Sequence, residues 1–245
     1  MICCAALLCS VLTHLILFTT VIVMYIFVFN WENPVDPPGG DTPVGGFFQW
    51  HPVLMVTAFV LCMGEALIAY RILPFEHRLQ KTIHGIFMAL AVASSAVGLW
   101  MIVSYHNQHT VPIDNFYNIH GILGLTTLVL FYTQWLGGFL TFVVSWMIPS
   151  FPKNARALAM PYHRFVGVVL FVMCWASMLT GLLDRQRIQG DDVKPPHNMV
   201  NYSHQANTGN AAGLLIVLSG VTILYHFSPV SKVKDDSDLS ARLLP

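Results

Sequence analysis

Four histidines, His51, His84, His120 and His163, stand where this sequence can do chemistry, because each opens an apolar run of membrane-spanning length. An ionisable ring within a span is costly and usually faces a bundle interior, where it works. A lone histidine near a helix end is more often an interfacial polar residue, but the placement of these four argues for a joint role. Each falls within the first turn or so of the second, third, fourth or fifth run. Successive spans run in opposite directions, so the starts of two and four share one side of the membrane, and those of three and five the other. His51 then pairs with His120, and His84 with His163. Two neutral imidazoles from facing helices, with no further ligand at that depth, suit the two axial positions of a haem iron. Zinc fits poorly, because structural zinc takes four N or S ligands and catalytic zinc three from the protein. Neither a cysteine nor a carboxylate lies within a turn of any of the four. Gly85, Gly121, Gly124 and Gly167 beside these histidines let a flat ring approach the backbone, though close packing of membrane helices has the same requirement.

The elements that must position these rings follow from composition. Of 245 residues, 55% are apolar and only 10% charged, with mean hydropathy +0.62, whereas soluble domains carry about 25% charged residues. Six apolar stretches, at about 5–30, 48–70, 83–105, 119–147, 164–183 and 209–229, reach the roughly 20 residues needed to cross ~30 Å of hydrocarbon. The expected fold is an all-α membrane protein with six transmembrane helices, in which helices two to five form a four-helix core. The loops are short, which predicts one membrane domain over 1–245, with its core at 47–228 and a tail at 230–245. The first stretch lacks a preceding basic residue and exceeds a signal core, so it reads as retained.

The twelve basic residues set the orientation, since Lys and Arg near short loops stay cytosolic. Arg71, Arg78, Lys81, Lys153, Arg156, Arg164, Lys232, Lys234 and Arg242 fall on one side, against Arg185, Arg187 and Lys194 on the other. Both termini are therefore expected in the cytosol, with His51 and His120 on the outer side. The sequon at Asn201 falls in an outer loop, where glycosylation is expected to be permitted. Twelve acidic residues balance the basic ones, which argues against a nucleic-acid footprint. The five cysteines lie in or beside the spans and form no Cys-x-x-Cys, which disfavours a disulfide framework, a zinc ribbon and covalent haem attachment. Cys3 and Cys4 sit where acylation occurs, and equally where plain packing would put them. Trp31, Trp50, Trp100 and Trp146 read as interfacial belts.

Longer motifs carry a resemblance. Trp50-His51-Pro52-Val53-Leu54-Met55, Ala66-Leu67-Ile68-Ala69-Tyr70-Arg71, Lys81-x-x-His84, His106-Asn107, Asn118-Ile119-His120-Gly121 and Pro161-Tyr162-His163 occur in this order. In these the chain resembles the cytochrome b561 family, ascorbate-reducible transmembrane electron carriers with six helices and two haems, over about residues 47–228. The resemblance implies two haem b groups, His51 and His120 holding the outer one and His84 and His163 the cytosolic one, and a homodimer. It also implies that Arg71 and Lys81 receive ascorbate, and that His106 is the family's outer-loop histidine.

The helical arithmetic adds neighbours. Arg71, Lys81 and Arg156 can attract a monoanionic reductant, although the positive-inside rule alone would place them there. His106, Asn107 and Tyr117 gather at the outer edge, where no Lys or Arg competes, and fit monodehydroascorbate or a ferric chelate; His109 reads as a solvated loop residue. Glu65 lies fourteen residues after His51, within about 40° of its face at ~100° per residue, and Gln134 bears the same relation to His120. Glu65 should face inward, either near the cytosolic haem or bonded to Gln134 or another polar group. His14, His77, His197, His204 and His226 read as structural. Haems near either surface of a ~30 Å slab would place their irons on the order of 20 Å apart.

The sequence thus predicts a membrane oxidoreductase passing single electrons from cytosolic ascorbate to monodehydroascorbate or ferric iron, in a late endosomal or lysosomal, secretory-vesicle or plasma membrane. Leu243-Leu244 is a faint endosomal sorting sign. A metal or proton transporter with intramembrane histidines would hold no haem, and a haem-bearing anchor of a flavin or quinol enzyme would need a partner to supply electrons.

Overall fold

The structure, a computed structural model, describes residues 2–29, 47–108, 112–144, 148, 154–191 and 204–228, apart from the side chains of 2–7, 188–191 and 205. These residues form six long helices: α1 (Ile2–Phe29), α2 (Phe47–Ile72), α3 (His77–Gln108), α4 (Ile119–Phe142), α5 (Ala155–Asp191) and α6 (His204–Phe227). Each contains a window apolar and long enough to cross a membrane. The chain is a multi-pass membrane protein. Leu15, Phe18, Ile22, Ile86, Leu90, Val129, Leu214 and Val221 are exposed on its outside, where hydrocarbon solvates them at no cost.

Three antiparallel pairs build the bundle: α1 with α6, α2 with α3, and α4 with α5. Helix α2 stands at the centre, with 67% of its apolar window buried against 17–33% for the other five. Val53, Val56, Phe59, Val60 and Met63 of α2 pack with Leu17 of α1, Phe131 of α4, Phe171 and Cys174 of α5 and Ile216 of α6 in one core. Pro52 lies in the second turn of α2, where it has no N–H to donate to the Phe48 carbonyl one turn back.

Two helices begin earlier than their apolar runs. Helix α3 starts at His77 and α5 at Ala155, which places His84 and His163 about two turns in rather than in the first turn. The extra turns of α3, at 77–82, are mostly polar, and those of α5 carry Arg156 and Pro161, which interrupt the apolar run there. Helix α5 also runs past its apolar run to Asp191. Arg185, expected in a loop, is instead helical and buried, with 5% of its surface exposed.

Helix α2 changes pitch midway: Thr57–Cys62 form a π-helical segment between Phe47–Val56 and Met63–Ile72. The Thr57 hydroxyl donates to the Val53 carbonyl at 2.8 Å. A π turn takes up about one more residue than an α turn, so everything beyond it rotates by ~100° relative to His51. That shift corrects the expected register. It turns Ala66 toward the face of His51 and swings Glu65 away toward α1. Glu65 is buried as expected, but its partner is His14, with Nδ1 to Oε1 at 2.8 Å. Next to it, the Thr13 hydroxyl lies 3.0 Å from His226 Nε2, joining α1 to α6. His14 and His226, set aside as structural, therefore have partners across the bundle.

Removing one member of the His14–Glu65 pair leaves a buried polar group unsatisfied, at a cost of about 1–3 kcal/mol. His14→Leu should lower the unfolding temperature in detergent, while Glu65→Gln, which keeps a hydrogen-bonding acceptor, should lower it less.

Candidate functional site

The bundle brings the four histidines together as two pairs at opposite ends of α2–α5. The rings of His51 and His120 have centroids 6.2 Å apart and planes at 77°, and those of His84 and His163 stand 6.5 Å apart at 71°. Two imidazoles sharing one metal through nitrogens at about 2 Å, with ring centres roughly 1 Å further back, would sit about 6 Å apart. All four rings are half-buried.

What holds the rings is their second nitrogen. Nδ1–H of His51 donates to the Gly98 carbonyl of α3, that of His84 to the Ala66 carbonyl of α2, and that of His120 to the Ser177 carbonyl of α5, each at 2.9 Å. Nδ1 of His163 lies 2.8 Å from the Gln134 side-chain amide, which also reaches the His163 carbonyl oxygen at 2.8 Å. Turning this amide would set its oxygen against that carbonyl, so the amide nitrogen stands between the two and fixes where the His163 ring lies. In His51, His84 and His120 an Nδ1–H spent on a carbonyl fixes the tautomer and frees Nε2, the arrangement of metal-bound histidines. The four side chains therefore fit haem b: each pair sets two imidazoles across a metal-sized gap. Among the described residues, no group of three or more His, Cys, Asp or Glu converges as a conventional metal site does.

Two of the rings also need room behind them, which comes from a glycine on the antiparallel neighbour. A Cβ at Gly181 of α5 would meet His120 Cε1 at 2.5 Å, and one at Gly138 of α4 would meet His163 Cε1 at 2.9 Å. A Cβ at Gly98 would press Leu54 and Met55 beside His51, at 3.2 and 3.3 Å. Of the glycines singled out from sequence, Gly85 and Gly167 face open space, Gly121 sits in the turn at the start of α4 against Phe116, and Gly124 faces the Ser177 hydroxyl. The glycines against the rings lie across a helix interface, not beside the histidines in sequence. A signal for them existed. Ala66, Gly98, Gly138 and Gly181 follow the histidine of their own helix by fourteen to eighteen residues, which returns each to nearly the same face.

The His51 and His120 rings line an open crevice that is also bordered by His106, Asn115, Tyr117 and Arg185. His106 Nδ1 lies 3.1 Å from Asn115 Oδ1, and the Asn115 amide donates to Asn107 Oδ1 at 2.9 Å. Asn115, missed from sequence, thus joins two residues that were expected there. Tyr117 is largely exposed. It follows Phe116, whose φ of 57° turns the chain sharply before α4. Asn118 caps α4 by accepting from the Gly121 N–H at 2.8 Å and donates to Asp184 at 2.8 Å, tying α4 to α5.

At the other end, Lys81 donates to the Phe142 carbonyl at the C-terminus of α4, where a cation also meets the negative end of the helix dipole. The Phe142 ring lies 5.2 Å from His163, so Lys81 stands one side chain from that pair, and Arg156 is near enough to repel it. Arg71 lies over the Phe227 ring, 5.0 Å from its centre, on the α6 side. Tyr70 packs between His84 and His77, at 5.4 and 5.6 Å, a contact that sequence reasoning did not assign. Trp50 and Trp100 are exposed, as membrane-facing aromatics should be. His109, His197, Asn201, Lys153, Lys194, Trp31, Trp146, the 230–245 tail with Leu243-Leu244, and the Cys3 and Cys4 side chains lie outside the described residues.

Fold and site together define a six-helix membrane protein with two opposed bis-imidazole sites inside a four-helix core. Residues 50–189 match the family model described as eukaryotic cytochrome b561, and the chain belongs to that family. It is 35% identical over 186 residues to transmembrane ascorbate ferrireductase 2 of Arabidopsis thaliana, covering 75% of this chain and 76% of the relative. A plasma membrane ascorbate-dependent reductase of Rattus norvegicus is 33% identical over 212 residues, covering 85% and 69%. A lysosomal membrane ascorbate-dependent ferrireductase of the same species is 30% identical over 219 residues, covering 86% and 77%.

Overpacking against a fixed ring costs about 1–3 kcal/mol. Gly181→Ala and Gly138→Ala should each lower the unfolding temperature. Gly85→Ala and Gly167→Ala, which add a methyl to open space in a helix, should leave it unchanged or raise it.

Proposed function

We propose that this protein carries single electrons across a membrane, from ascorbate on the cytosolic side to a ferric chelate or monodehydroascorbate on the other, through two haem b groups. His51 and His120 hold one and His84 and His163 the other. The observation that carries this reading is the pair of ring separations, 6.2 and 6.5 Å, with Nδ1 of every ring engaged by the protein. The names of the relatives, ascorbate ferrireductases and ascorbate-dependent reductases, supply the substrates. Haem b supplies a one-electron ferric/ferrous couple, and the protein sets its ligands, depth and surroundings.

The chain's own residues do the rest. Arg71, Lys81 and Arg156 make the cytosolic mouth positive and draw in the ascorbate monoanion, which leaves as monodehydroascorbate after losing one electron and one proton. Lys81, tethered to the end of α4, holds that charge close to His163. On the outer side His106, held by Asn115, offers an imidazole with Asn107 and Tyr117 around it, and a ferric chelate leaves as its ferrous form. Apolar core residues between the two sites, Phe59 and Phe131 among them with rings 5.3 Å apart, exclude water and keep the path dry. Both termini lie in the cytosol in this arrangement. The membrane is lysosomal or late endosomal, vesicular or plasma, and the chain works as a homodimer.

A reduced-minus-oxidised spectrum of the purified protein, with haem counted per polypeptide, should give two b-type haems that ascorbate alone reduces. His84→Ala and His120→Ala should each delete a different one. Lys81→Ala should retain both haems and raise the KM for ascorbate several-fold. A colourless protein would overturn the reading and favour a metal or proton transporter.

A further inference from the structure

Arg185 is buried, with 5% of its surface exposed, yet its Nε and Nη1 have no hydrogen-bond partner among the described residues. Its guanidinium rests on the Phe48 ring, 4.6 Å from the centre, and lines the same crevice as His51 and His120. An arginine keeps its charge in proteins, and a buried charge left unpaired costs several kcal/mol. The acid beside it does not relieve it: the Asp184 carboxylate borders the crevice too, but it accepts from Asn118, and it forms no ion pair with Arg185. Phe48 holds the guanidinium from one side and supplies no acceptor.

Resting on the two-haem reading above, we propose that Arg185 is the carboxylate-binding residue of the His51–His120 site, and that its partner is a propionate of the haem held there. The donor chemistry fits. Guanidinium N–H groups form strong, bidentate pairs with carboxylates, and the crevice brings the Arg185 guanidinium and the paired imidazoles to one space. Arg185 is a positioning residue. It fixes the rotation of the macrocycle about the axis between His51 and His120, and its charge favours the reduced state. A carboxylate of an incoming ferric chelate is the other source of the same chemistry.

A redox titration of the purified two-haem protein tests this, with the outer component identified as the one missing from His120→Ala. Arg185→Gln should lower the midpoint potential of that component and leave the other in place, and Arg185→Lys should restore most of the difference. If Arg185→Gln does not fold, resonance Raman of Arg185→Lys against the parent decides. A shifted propionate-bending band supports the assignment, and an unchanged one overturns it. Two haems with unaltered potentials in Arg185→Gln would also overturn it. If the KM for ferric citrate rose at the same time, the carboxylate would come from the chelate. Absence of haem from the parent protein would instead overturn the two-haem reading itself.

Discussion

Everything in this molecule depends on how four imidazole rings are fixed by their back nitrogens. A histidine within a membrane span has two ring nitrogens and no water to satisfy either, so one must find a partner in the protein before the other can be offered to anything else. Here three Nδ1 groups reach main-chain carbonyls on the neighbouring helix and the fourth meets Gln134. A helical carbonyl already accepts its own intrahelical bond, but its second lone pair remains available. Gly181 and Gly138 leave the room in which the His120 and His163 rings lie close to the neighbouring backbone. Ring placement, tautomer and helix spacing are thus one constraint.

That constraint explains the arrangement of helices. In α2 with α3, and in α4 with α5, each member holds its neighbour's histidine with a small or polar residue at its far end and offers its own histidine at its near end. The two sites cannot be built independently, because every one of these helices serves both. The π turn in α2 belongs to the same design: without the extra residue, Ala66 would not face His84, and Glu65 would not reach His14. Helices α1 and α6 flank this core, bonded to each other through Thr13 and His226.

The two mouths differ in kind. At one end Lys81 sits on the Phe142 carbonyl with Arg156 near it, Tyr70 packs against His84, and Arg71 lies over Phe227. The other is made of amides and imidazole around an open crevice, with one buried arginine beneath. An electron carrier that loads from an anion at one end and unloads to varied acceptors at the other would need such an asymmetry, and the relatives' names describe reductases of this sort.

The six spans and the pairing of His51 with His120 and of His84 with His163 were legible from residue order. Hydropathy over about 20 residues and alternating span direction suffice for those inferences. Tertiary structure alone decided the rest. The π turn rotated Glu65 onto His14, the extensions of α3 and α5 beyond their apolar runs set His84, His163 and Arg185 well inside helices, and Gly138 and Gly181 proved to face a ring from the next helix. Each of these depends on which surfaces meet, and periodicity along one chain assumes a uniform helix and carries no information about the neighbour that packs against it.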